Sequence, residues 1–169
     1  MFNDPLAYFI TFTTYGTWLQ GRETGSVDRS HNQFDMPILA PNRTIESRRR
    51  SQMRQFEYLL DQPRRQVVLA TIIEVAAYRK WRLWAVHVRT NHVHVVVTAN
   101  TKPEKVMNDF KIWCSRRLRE TFNESADRDR WTQHGSTRYL FEEDKIIEKI
   151  DYVLNEQGEP MEWYRAEIE

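Results

Sequence analysis

A chain of 169 residues that is 40% apolar, with only 5 Gly and 6 Pro, has the length and composition of one globular domain and excludes collagen-like, low-complexity and wholly disordered architectures. Cys114 is the only cysteine, which rules out an intrachain disulfide and a thiolate cluster, so any metal must be held by His, carboxylate or amide groups. The formal charge of +1 hides an asymmetry: residues 1 to 141 hold 22 Lys+Arg against 14 Asp+Glu, whereas residues 142 to 169 hold 3 against 10.

The elements follow in chain order. Residues 8 to 14 are β-branched and aromatic and predict a strand ending at Tyr15-Gly16. Residues 20 to 60 are mostly polar and weakly periodic, and read as a long insertion with one short helix near 46 to 54. Val67, Val68, Thr71, Ile72, Val75 and Ala76 recur at helical spacing and predict a helix over 63 to 79, with Pro63 in its first turn. Trp81 to Val88 and Asn91 to Ala99 are two strands joined by a short turn at Arg89-Thr90. A second helix starts near Pro103, with Val106, Phe110, Trp113, Cys114 and Leu118 on one stripe. A short strand over 137 to 141 and a helix from Glu142 to Gln157, ending at Gly158, complete the chain. The order βαββαβ plus a helix predicts an α+β, ferredoxin-like antiparallel sheet of four strands in a single domain over 1 to 169. Two helices cover one face and the other face is open. No apolar run approaches the roughly 20 residues of a membrane span, and Met1-Phe2-Asn3-Asp4-Pro5 lacks a basic start, so a cytoplasmic protein with no membrane partner is expected.

The stretch Asn91-His92-Val93-His94-Val95-Val96-Val97 carries the most chemistry. Strand alternation sends Val93, Val95 and Val97 toward the helices and both imidazoles to the open face, about 7 Å apart at Cα, where they can share one divalent ion. Two alternative histidine chemistries fit poorly. A histidine-triad hydrolase needs a further His where Val96 stands, and a two-histidine phosphodiesterase needs His-x-Ser/Thr twice, which only His134-Gly135-Ser136 supplies. In the last helix Ile146, Ile147, Ile150, Val153 and Leu154 form the apolar stripe, and the helical wheel puts Tyr152 on the opposite, polar face with Glu156 one turn on. A phenol, a carboxylate and two imidazoles could then meet if this helix crosses the open sheet face of its own or a partner subunit. Such a set suits phosphoryl transfer with the phenolate as nucleophile.

The histidine strand, the element order and the tyrosine helix together resemble the single-tyrosine HUH transposases of the insertion-sequence-200 type, including the REP-associated tyrosine transposases. The resemblance covers about residues 6 to 20 and 60 to 158. It implies a ferredoxin-like fold, Mg²⁺ or Mn²⁺ as cofactor, and cleavage of single-stranded or hairpin DNA to a 5′-phosphotyrosine and a 3′-OH, with transposition as the process served. Carried over by position, His92 and His94 are metal ligands and Tyr152 the nucleophile. The family places a Gln four residues after the tyrosine. Here Glu156 stands there with Gln157 next, and because Gln157 turns toward the apolar stripe, Glu156 is the preferred third ligand and Gln157 the alternative. A DNA substrate places the protein at the nucleoid. A non-catalytic hairpin binder of the same fold is the rival reading.

A basic body suits a polyanionic partner, and between Arg43 and Arg119 alone the count is 17 Lys+Arg against 6 Asp+Glu. Arg89 and Lys111 are candidate phosphate contacts near the histidine strand. Trp131 and His134 are candidates for the DNA path, Trp131 by base stacking, although a core role for this tryptophan is the stronger alternative. Trp18, Trp81, Trp84 and Trp113 read as core or interface residues, and His87 as a structural hydrogen-bonding histidine. The acidic helix from Glu142 and the basic surface that it would cross favour a homodimer that exchanges tyrosine helices, with a monomer holding its own Tyr152 as the alternative.

Overall fold

The computed structural model describes residues 3–17 and 55–168. The insertion up to residue 54, its short helix and Trp18 lie outside the described residues. Five strands, β1 (Ala7–Thr13), β2 (Arg82–Val88), β3 (His92–Thr98), β4 (Ser136–Leu140) and β5 (Glu162–Arg165), form one antiparallel sheet in the order β4-β1-β3-β2-β5. Among the described residues three helices accompany it: α1 (Gln62–Arg79), α2 (Pro103–Phe122) and α3 (Glu143–Asn155).

Local chemistry sets the helix ends. Asp61 caps α1 by accepting the Arg64 N–H at 3.1 Å, Pro63 occupies its first turn, and Lys80 closes it with φ 60°. The β2–β3 hairpin closes through the Arg89 N–H to the His92 carbonyl at 2.8 Å.

The alternation read from the sequence holds. Val93, Val95 and Val97 are wholly buried with Ile10, Phe12 and Val86 against Val68 and Ile72 of α1 and Val106, Phe110, Cys114 and Leu118 of α2. Val96, Phe9, Ala7 and Ala85 face the other way. Hydrophobic burial on both faces, about 25 cal/mol per Å² of apolar surface, therefore fixes the sheet between two helical layers.

Two expectations need correction. The sheet has a fifth strand, because Glu162–Arg165 pairs along the outer edge of β2, from Ala85↔Arg165 to Val88↔Glu162. Four residues with two charges give no clear strand signal; the edge of β2, with unpaired backbone groups, recruits them. The second face is also not open. Ile146, Ile150 and Val153 of α3 pack on Ala7, Phe9, Ala85, Val96 and Leu140.

The apolar stripe of α3 is narrower than its sequence suggests, since Ile147 is 60% exposed. Its loss rotates the buried side toward Tyr152. Tyr152 is accordingly half-buried at the margin of the packed face, in edge-on contact with Phe9, and does not project from the polar side.

Among the described residues no helix is long and apolar enough to cross a membrane.

Candidate functional site

Antiparallel register builds one polar row across the α3-facing side of the sheet. His94 of β3 lies opposite Thr11 of β1 and His87 of β2, and His92 lies opposite Thr13. The imidazoles of His92 and His94 are neighbours, with ring centroids 4.8 Å apart. Each has an oxygen partner at Nδ1: Asn91 Oδ1 at 2.8 Å from His92, and Thr11 Oγ1 at 2.7 Å from His94. When Nδ1–H donates to these oxygens, the lone pair of each ring sits on Nε2, the tautomer that a metal-binding histidine needs.

α3 lies across this row and brings its tyrosine. The Tyr152 ring is 5.9 Å from that of His94 and 5.9 Å from that of Phe9, and Phe9 itself stacks on His94 at 5.6 Å. Nucleophile candidate and histidine pair thus meet within one chain.

The third polar side chain at the pair is Gln157. Its Oε1 lies 3.1 Å from His94 Nε2. Glu156, the preferred third ligand from the sequence, is exposed, and Gln157 is the side chain that lies by the pair, for two reasons. α3 ends at Asn155, with Glu156 at its C-cap at φ −112°, so a helical wheel no longer applies there. In addition, the apolar stripe faces the histidines, so the side chain that turns toward the stripe is the one that reaches them.

The segment after α3 is held from β2 and from the β2–β3 turn. His87, fully buried, meets the Val153 carbonyl through Nδ1 at 2.8 Å and accepts the Met161 N–H at Nε2, at 3.0 Å, which assigns it as a neutral ring with its proton on Nδ1. Arg89 donates to the Glu159 carbonyl, and Gly158 takes the positive φ of 80° that turns the chain. These contacts bracket Gln157. The structural role expected of His87 holds, while Arg89 anchors the segment that carries Gln157.

Burial shapes the electrostatics. Desolvation pushes His94 down to about 3 and His92 down to about 4, with Arg89 and the neighbouring imidazoles adding to the fall and Gln157 opposing it. Both rings are therefore neutral at pH 7 and able to ligate. His87 is also lowered, by desolvation first.

Two imidazole nitrogens and an amide oxygen fit a divalent ion. Donor atoms 3.1 Å apart are spaced like neighbouring ligands held at about 2.1 Å and at right angles, and the mixed set suits Mn²⁺ better than Mg²⁺, which prefers oxygen. Among the described residues no cluster of three His, Cys, Asp or Glu is placed to hold a metal.

The remaining candidates lie elsewhere. Lys111, on α2, is on the opposite side of the sheet from the histidines, correcting its expected place near their strand. Its buried ammonium donates to the Thr132 carbonyl at 3.0 Å and to that of His134, and burial lowers its pKa to about 8. Trp131 packs edge-on against Phe12 and donates to Ser115 Oγ at 2.9 Å and to the Lys111 carbonyl, so its ring is partly built into the core. His134 is exposed in the turn before β4 at φ 67°. With Arg116 and Arg119 these three residues line a cleft of about 650 Å³.

Sequence reasoning missed Thr11 as the partner of His94. A lone threonine in a strand carries no signal for it, because only the β1–β3 register brings the two together.

No curated protein matches the chain. A solved structure of a REP-associated tyrosine transposase bound to a REP hairpin aligns with 91% of this chain and 68% of its own, at 10% identity and a TM-score of 0.47. The family model described as "Transposase IS200 like" matches residues 52–150, more than half of the chain, and spans the histidine strand and most of α3. The chain belongs to the IS200-like transposase family.

Proposed function

We propose that this member of the family cleaves and rejoins single-stranded, hairpin-bearing DNA through a covalent 5′-phosphotyrosine, with Tyr152 as nucleophile. The observation that carries the reading is the meeting of Tyr152, His94 and Gln157 within one chain, on the polar row of the sheet. The Tyr152 oxygen gives up its proton and attacks phosphorus. As the new O–P bond forms, the bond from phosphorus to the 3′ oxygen breaks, and that oxygen leaves as a 3′-OH after taking up a proton. Attack by another 3′-OH on the phosphotyrosine reverses the step and joins strands, because one phosphodiester is exchanged for another of similar energy.

His92, His94 and Gln157 are the residues that would hold Mn²⁺ or Mg²⁺. Such an ion supplies Lewis-acid polarisation of a phosphoryl oxygen. The protein's part is orientation: Asn91 and Thr11 fix the imidazole tautomers, His87 and Arg89 bracket Gln157, and Phe9 supports the Tyr152 ring. The basic balance of residues 1 to 141 favours a polyanionic substrate.

The test is incubation with Mn²⁺ and single-stranded oligonucleotides taken from the DNA flanking the gene. A covalent protein–DNA adduct that survives denaturation is expected. Hairpin binding without any adduct would leave a non-catalytic DNA-binding protein in place of the enzyme.

A further inference from the structure

The segment that delivers Tyr152 is acidic. From Glu142 to Glu156 it holds six carboxylates, Glu142, Glu143, Asp144, Glu148, Asp151 and Glu156, and only two lysines. A DNA strand approaching the nucleophile therefore meets charge of its own sign unless something offsets it. The two lysines differ in where their ammonium groups go. Lys145 pairs with Glu148 at 2.9 Å on the exposed side of the helix. Lys149 has Lys145, Ile146, Tyr152 and Val153 at its i±3 and i±4 positions, so no carboxylate stands one turn from it, and the adjacent Glu148, paired with Lys145, acts on it only through space. Its ammonium instead lies 5.4 Å from the centre of the Phe9 ring and 5.3 Å from that of Tyr152. Among the described residues it has no oxygen partner and forms no ion pair.

Lys149 precedes Tyr152 by one helical turn, and Gln157 follows it just past the end of α3, so the two bracket the phenol along the chain. Phe9 is common ground, since it stacks on His94 and lies beneath both Tyr152 and Lys149. Arg138, opposite Phe9 in the β1–β4 register, adds a second cation on the same sheet face. A cation–π contact at a half-exposed site is too weak to prevent an ammonium from taking up an anion brought to it.

The geometry points to Lys149 as a phosphate-binding residue of the site, holding the DNA backbone phosphate that reaches Tyr152. This inference rests on the proposed strand-transfer reading for its purpose, yet binding tests it separately from cleavage. Lys149 supplies up to three N–H donors and one positive charge where the helix is otherwise anionic. It contributes no proton to the bond-breaking step as written above.

The experiment measures affinity for a fluorescein-labelled single-stranded oligonucleotide from the gene's flanking DNA across a salt series. The proteins are Tyr152→Phe, which cannot form the adduct, and the same chain with Lys149→Gln, Lys149→Arg or Lys145→Gln. Loss of one phosphate contact from single-stranded DNA lowers the slope of log affinity against log salt by about 0.7. Lys149→Gln should show that loss, and Lys149→Arg should restore most of the slope. Lys145→Gln removes the same charge from the same helix and should leave the slope close to that of Tyr152→Phe.

Equal slopes for Lys149→Gln and Lys145→Gln, whether both unchanged or both lowered, would overturn the assignment. Failure of the otherwise unmodified chain to form an adduct would count against the strand-transfer reading alone, because the salt slopes still decide whether Lys149 holds phosphate.

Discussion

Gln157 Oε1 stands 3.1 Å from His94 Nε2, while the residue just before it in sequence, Glu156, points to solvent. One residue's displacement past the end of α3 thus decides which side chain lies beside the histidines. Gln157→Ala is expected to weaken Mn²⁺ binding by at least about tenfold, the scale set by groups that orient or complete a metal site. Glu156→Ala should leave it within about twofold. Titration calorimetry of the two variants decides the matter, and the reverse order would return Glu156 to the role.

Tyr152→Phe removes the phenolic oxygen and little else, since the ring still packs on Phe9. Adduct formation should disappear while Mn²⁺ affinity and the unfolding midpoint stay close to their original values. Persistence of the adduct would move the nucleophile to another tyrosine, with Tyr139 and Tyr164 the next to test.

The depressed histidines carry a pH signature. In the unfolded chain His92 and His94 titrate near 6.5, whereas in the fold they resist protonation down to about 4 and about 3. Between these values the unfolded state binds more protons, so stability falls as pH falls. The contribution is whole above about pH 6.5 and is lost progressively toward pH 3 to 4. Urea unfolding at pH 7, 5.5 and 4.5 should show this decline, and His92→Gln/His94→Gln should flatten it. An unchanged slope in the double variant would exclude these two groups as its source.

Lys111→Met tests the buried clamp on the loop before β4. The Thr132 and His134 carbonyls would lose their ammonium donor, at a cost on the order of 1 kcal/mol for partly buried groups. A lower urea midpoint with adduct formation retained is expected. Unchanged stability with a reduced salt dependence of DNA binding would make Lys111 a phosphate contact instead.

Because one chain brings its own Tyr152 to its own His94, mixing a His92→Ala/His94→Ala chain with a Tyr152→Phe chain should not restore cleavage. Recovered activity would show that helices exchange between subunits, as the opposite charges of the α3 segment and the basic body first suggested.

The sequence by itself determined the strand and helix order, the burial of Val93, Val95 and Val97, and the pairing of His92 with His94 on the opposite face. All of these follow from backbone periodicity, which is local. It also determined the structural use of His87, on the strand beside the pair. Only the tertiary structure decided that Gln157 and not Glu156 lies beside His94, the margin position of Tyr152, the removal of Lys111 from the histidine face, the packing of Trp131 on Phe12, and the fifth strand. Each depends on contacts far apart in the chain: where a helix stops once its neighbours pack, which face of the sheet a helix covers, which unpaired edge recruits a short segment. The helical wheel assumed that α3 continues through residue 157 and that Ile147 is buried. Packing against Phe9 and Val96, together with the contacts of His87 and Arg89, set aside both assumptions.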